Sequence, residues 1–158
     1  MSVIAVVGAG QCDATLTTIA KAVGGQLAQQ HITLVCGGLG GVMAAACQGA
    51  KTFGGKTIGI LPGADPKTAN PWVDIAIATG MGEARNAIIV HTAQVVIAVG
   101  GEYGTLSEIA FALKLGKPVI GIQTWQLAHP DQRIEAILVA QTPEEAVQWA
   151  IEHLQKTL

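Results

Sequence analysis

The chain has 158 residues, half of them apolar and only 13% charged, with a net charge of −2. That length suits one domain over residues 1–158 with a proper core, and without a basic stripe extended nucleic acid is excluded as an expected partner. Its longest apolar runs, such as residues 95–99, fall far short of the ~20 residues of a membrane span, and Met1-Ser2-Val3 lacks the features of an export signal, so a cytoplasmic protein is expected.

In chain order, a β-rich run at residues 3–7 predicts a first strand, followed by a helical pattern over 14–30. A strand at 33–36 and a helix at 41–53 come next, then strands at 57–61 and 73–78. The segment between those two, residues 62–71, holds three prolines and reads as a surface loop that could serve as a lid. A helix over 81–92, a strand at 95–99, a helix over 105–115 and a strand at 119–122 follow. A short seventh strand is expected at 137–139 and a last helix at 143–155, with Thr142 as N-cap and Pro143 in the first turn. Strands alternating with helices predict α/β architecture: a doubly wound, mainly parallel Rossmann-like sheet with helices on both faces.

Ordinary soluble domains carry about 25% charged residues. The shortage here predicts helix faces buried between subunits, in a homo-oligomer expected to be a tetramer. Cys12, Cys36 and Cys47 show no CxxC or Cys/His spacing, so they read as buried thiols in a reducing compartment, and neither zinc nor another metal site is expected.

Three strands end in glycines where a helix must begin: Gly8-Ala9-Gly10, Gly37-Gly38-Leu39-Gly40-Gly41 and Gly100-Gly101-Glu102-Tyr103-Gly104. In a doubly wound sheet these turns share the carboxyl edge, where ligands bind. Glycines let the backbone approach a ligand, and each helix N-terminus supplies free N–H groups and partial positive charge. An anion or nucleotide site is therefore expected from Gly8, Gly10, Gly37, Gly38, Gly40, Gly41, Gly100, Gly101, Glu102, Tyr103, Gly104 and Thr105. Arg85, after two glycines at the same edge, is placed to clamp the anion.

Familiar nucleotide motifs fail. Position 13 is Asp where the dinucleotide fingerprint needs its third glycine, and the second strand ends in Cys36-Gly37-Gly38 without a ribose-binding acid, so NAD is disfavoured. Gly55-Lys56-Thr57 leads into a strand and is no P-loop. Thr105-Leu106-Ser107-Glu108 fits a capping box, which would make both residues structural; equally, Glu108 could serve a reacting group. Met43 on its own reads as core, Trp72 as a loop anchor, and Trp125 and Trp149 as packing or oligomer-face residues. His31, His91, His129 and His153 read as surface or capping residues.

Gly37-Gly38-Leu39-Gly40-Gly41-Val42-Met43, Arg85-Asn86 and the run from Gly100 to Glu108 together resemble the superfamily of Lonely Guy enzymes and molybdenum cofactor carriers, often labelled possible lysine decarboxylases. No lysine has the setting of a Schiff base, so pyridoxal phosphate is not expected. The resemblance implies a Rossmann-like fold and adds Met43, Asn86 and Glu108 to the ligand-binding residues. In the Lonely Guy phosphoribohydrolases, which cleave nucleoside 5′-monophosphates, the pattern would give Gly100, Gly101, Gly104 and Thr105 the phosphate and Arg85 and Glu108 the catalysis. This chain departs from it: Val99 stands where a proline is usual, Asn86 where a lysine is usual, and Gly8-Ala9-Gly10-Gln11 replaces Cys-Gly-Ser-Ser. It is more similar to the short carrier branch, which implies binding, protection and delivery of the anionic pterin cofactor, molybdopterin, to molybdoenzymes. A phosphoribohydrolase and a non-catalytic nucleotide-binding module remain the alternatives.

Overall fold

The computed structural model describes residues 1–131 and 136–156. Seven strands form one parallel sheet: β1 (Val3–Gly8), β2 (Thr33–Cys36), β3 (Thr57–Leu61), β4 (Ile75–Ala78), β5 (Val95–Val99), β6 (Val119–Ile122) and β7 (Leu138–Val139). Their spatial order is β4-β3-β2-β1-β5-β6-β7. The chain builds outward from β1 to one edge, then crosses to β5 and builds to the other. The crevice lies where the order reverses, between β1 and β5, and there Gly8 pairs with Val99.

β2 and β5 are buried along their whole length and β1 along all but its last residue, which is why these strands read as continuous apolar runs. On one face, Ile4, Val6, Leu34 and Ile97 join a core with Val23 and Leu27 of α1 (Ala14–Gln29), Ala46 of α2 (Val42–Thr52) and Ala150 of α5 (Pro143–Lys156). On the other, Ala5, Val7, Val96 and Ala98 pack with Ile89 of α3 (Asn86–Thr92) and Ile109 of α4 (Tyr103–Lys114). α1 and α2 meet backbone to backbone: a Cβ on Gly24 would lie 1.9 Å from the Ala46 carbonyl oxygen. Only glycine permits that approach. No helix among the described residues is long and apolar enough to cross a membrane.

The expected elements are present, with two informative differences. The helix expected over 81–92 is broken: a 3₁₀ turn spans Gly82–Arg85 and the α-helix starts at Asn86. Gly80 and Gly82 both take positive φ, 63° and 58°, so the chain enters through a tight turn rather than a helical one. The helix expected from residue 105 begins instead at Tyr103, with Glu102 as its extended N-cap. Thr105 thus occupies the third helical position, and the capping box on Thr105 and Glu108 is not formed. The start of α5 follows its sequence signal: Thr142 Oγ1 accepts from the Glu145 amide at 3.1 Å.

Candidate functional site

The three glycine turns converge at the carboxyl edge around a cleft of about 510 Å³. The first two are bound to each other, the Val42 amide donating to the Ala9 carbonyl at 2.9 Å. Gly41, at φ 62°, turns the chain into α2. In the third turn Gly100 and Gly101 take φ of 56° and 106°, which starts α4 two residues ahead of its apparent signal. That turn is held from outside by the next loop. Thr124 Oγ1 donates to the Gly100 carbonyl at 2.5 Å, and Trp125 Nε1 donates to the Glu102 carbonyl at 3.0 Å.

The helices behind these turns differ in what occupies their N-termini. α1 is closed by its own side chain, Asp13 Oδ1 accepting from the Leu16 amide at 2.8 Å. α4 receives no side-chain cap, and Glu102, Gly104 and Thr105 of its first turn line the cleft. Its leading amides have no partner within the helix, so the cleft is bordered by free N–H groups at the positive end of a helix dipole.

Among the described residues Arg85 is the cation that lines the cleft, and it is buried, with 6% of its surface exposed. The junction between the 3₁₀ turn and α3 places it there. Its Nη1 donates to Asn86 Oδ1 at 2.6 Å; Asn86 Nδ2 donates to Ser107 Oγ at 3.0 Å, and Ser107 donates to the Gly104 carbonyl at 2.6 Å. This relay ties the arginine to the first turn of α4. Among the described residues its buried Nε has no hydrogen-bond partner.

Glu108, one turn into α4, is also 6% exposed, and its Oε1 stands 3.7 Å from Arg85 Nη1. Burial pushes its carboxyl group up to about 8; the Arg85 charge opposes that rise and Glu83 adds to it. The acid is therefore mostly protonated at neutral pH.

Of the residues expected at the site, Gly8, Gly10, Gly37, Met43, Arg85, Asn86, Glu102, Gly104, Thr105 and Glu108 line the cleft. Gly38, Gly40, Gly41, Gly100 and Gly101 shape the turns without lining it. Tyr103, also expected at the site, is 79% exposed, lies outside the cleft lining and packs on Trp125 with ring centroids 5.6 Å apart. Val7, Ala9, Gln11, Leu39 and Glu83 line the cleft and were not expected. The first four lie inside or beside the glycine turns, which was the available signal; Glu83 sits in the 3₁₀ turn that carries Arg85. Cys36 and Cys47 are buried with sulfurs 3.5 Å apart, but Cys12 is only half-buried, a departure from the expectation for all three. Trp72 anchors its loop as expected, its amide donating to Asn70 Oδ1 at 3.1 Å and its ring packed on the core.

A family model described as the SLOG cluster4 family matches residues 1–147. The chain belongs to the SLOG cluster4 family. This Lonely Guy-like grouping agrees with the resemblance carried by the glycine turns and Arg85-Asn86. An uncharacterized protein of Archaeoglobus fulgidus is 49% identical to this SLOG chain over 148 residues, 94% of the chain and 93% of the relative. Among solved structures, the molybdenum cofactor binding protein of the phototrophic bacterium Rippkaea orientalis is 37% identical, covers 97% of each chain and has a TM-score of 0.87. The Moco carrier protein of Chlamydomonas reinhardtii is 36% identical, with 98% of each chain covered and a TM-score of 0.85.

Proposed function

We propose that this SLOG protein binds the molybdenum cofactor, an anionic phosphate-bearing pterin, as cargo, shields it and hands it to molybdoenzymes. The observation that carries the reading is Arg85, a buried guanidinium in the cleft wall whose Nε–H has no acceptor, beside the uncapped N-terminus of α4. A buried cation with an unspent donor, next to free helix amides, suits a phosphate or an oxo-anion. The cleft volume also falls within the range of about 300–1,000 Å³ usual for small-molecule sites. In this reading Arg85 and the amides of Gly104 and Thr105 hold the anionic group, while Gly8, Gly10 and Gly37 leave open backbone for the ring system. The likeness to the cofactor proteins of Rippkaea and Chlamydomonas supports the same cargo. Mass spectrometry of the ligand that copurifies with the chain is expected to find the pterin or its oxidised products, and a nucleotide in its place would overturn the choice of cargo.

One observation favours a second reading, a nucleoside 5′-monophosphate phosphoribohydrolase. Glu108, buried, protonated at neutral pH and 3.7 Å from Arg85, has the makings of a general acid. Asn86 weighs against it: where the hydrolase pattern has a lysine, this side chain is spent on Arg85 and Ser107. Incubation with AMP separates the two. The carrier reading expects no free base above background. Hydrolysis at ordinary enzymatic rates, reduced ~10²–10⁴-fold in Glu108→Gln, would establish the hydrolase.

A further inference from the structure

Among the described residues, the charges lining the proposed anion cleft are three carboxylates, Glu83, Glu102 and Glu108, against one guanidinium, Arg85. Were all four ionised, an anion would enter against a net negative wall. Glu83 and Glu102 are exposed, where water and salt screen them. Glu108 has no such relief. Its nearest cation is 3.7 Å away, and among the described residues no hydrogen bond reaches its carboxyl group.

Arg85 is equally short of partners, since Asn86 takes Nη1 and Nε has none. An ionised Glu108 would leave a buried ion pair whose members do not hydrogen-bond to each other, the costly form of such a pair. A neutral Glu108 removes the desolvation cost of the carboxylate and leaves the buried Arg85 charge uncompensated. It leaves the Arg85 charge for a ligand and turns the acid from a repelling charge into a second donor.

We propose that Glu108 is a ligand-recognising residue that works as a neutral acid, donating its hydroxyl hydrogen to an oxyanion bound on Arg85, and that its ionisation expels the ligand. The proposal rests on the anion-binding reading above and extends it to a proton-linked release step. The groups that face Glu108 agree with it. Glu83 from the 3₁₀ turn raises its proton affinity, burial does so more strongly, and Arg85 only partly offsets them. Glu102 at the head of α4 lines the same cleft, and Cys36 at the end of β2 is close enough to feel the Glu108 charge. The favoured ligand class is an oxyanion with two acceptor atoms side by side, one for the guanidinium and one for the acid.

Titration calorimetry of the full chain with sulfate tests this, because the charge of sulfate is constant across the neutral and alkaline range. Affinity is expected to hold up to about pH 7 and to fall about tenfold per pH unit above about pH 8. At about pH 9, paired buffers of different ionisation heat should show close to one proton taken up per sulfate bound. That count is made on the parent and needs no variant. Glu108→Gln, uncharged at every pH and still a donor, should show the same affinity at about pH 9 as at about pH 7, whatever its absolute value, where the parent loses affinity over that range. Sulfate binding with a flat pH profile overturns the proton linkage and leaves the anion site standing. Parallel loss of affinity in parent and variant places the titrating group elsewhere and overturns it as well. Sulfate that fails to bind at any pH overturns both this inference and the anion-binding reading beneath it.

Discussion

A Cβ on Gly37 would stand 2.8 Å from both Nη1 and Nη2 of Arg85 and 2.7 Å from Sδ of Met43. The glycine that closes β2 is therefore the space in which the guanidinium lies. Gly37 has no positive φ, so a substitution there is opposed by contact and not by backbone strain. Gly37→Ala is expected to push aside the far ends of Arg85 and Met43, both flexible side chains, with little change in stability. Anion titration should show weaker binding, and a melting temperature close to that of the parent would separate this loss from unfolding. Gly63→Ala is the matched control, because a Cβ there meets nothing within 4 Å and the residue lies outside the cleft lining.

Arg85 joins two jobs in one side chain, holding Asn86 through Nη1 and presenting an unclaimed Nε. Lysine has one ammonium on a flexible stem and no planar fork. Arg85→Lys is therefore expected to lose most of the affinity of the parent for the pterin or for sulfate. Loss of a hydrogen bond to a charged group is worth about 1.5–3 kcal/mol, roughly ten- to a hundredfold in affinity. Calorimetry reads it directly, and unchanged binding would remove Arg85 from the site. Thr105→Ala, at the third helical position of the uncapped helix, should weaken the same binding by a smaller factor.

Much of the fold was legible because the strands that matter are buried on both sides. Residues 33–36, 57–61, 95–99 and 119–122 read as strands and are strands. The glycine turns were legible for a related reason: a chain passing from strand to helix at a crowded sheet edge leaves few residues but glycine. What stayed hidden depends on contacts between distant segments. The Thr105-x-x-Glu108 spacing fits a capping box in one helical register, but the positive φ of Gly100 and Gly101 starts α4 earlier and shifts the register. The burial of Arg85 was equally invisible, since it requires the space over Gly37 and the acceptor on Asn86. The sequence around Glu83-Ala84-Arg85 places the arginine at the sheet edge as an anion clamp, but no local window shows that it is buried.

The exposed apolar side chains bear on assembly. Ile75 and Ile77, two apart on the outermost strand β4, are 57% and 44% exposed, in a chain that is only 13% charged. Alternate strand residues share one face, so the two form a patch that water does not favour. A second copy of the chain is expected to cover such a surface, and light scattering at micromolar concentration should give a mass of at least two chains, with four the favoured number. A monomeric mass would defeat this.

The pH dependence of stability isolates Glu108 without any ligand. Its ordinary value is 4.5 and burial raises it to about 8 in the folded chain. Between those limits the folded state holds a proton that the unfolded state has released. Stability therefore falls as pH rises through that window, by at most about 1.4 kcal/mol per unit, and the full contribution is present only below it. Glu108→Gln has no proton to lose and keeps its stability across the same range. The difference in melting temperature, variant minus parent, should thus grow from about pH 5 to about pH 8 and then level off. For a chain of this size the growth corresponds to roughly 3–6 °C per pH unit at most. Other titrating groups are common to both proteins and cancel in the difference. Parent and variant curves that run parallel from acid to alkaline pH would mean that Glu108 is ionised in the folded protein at neutral pH, with Arg85 already spent on it.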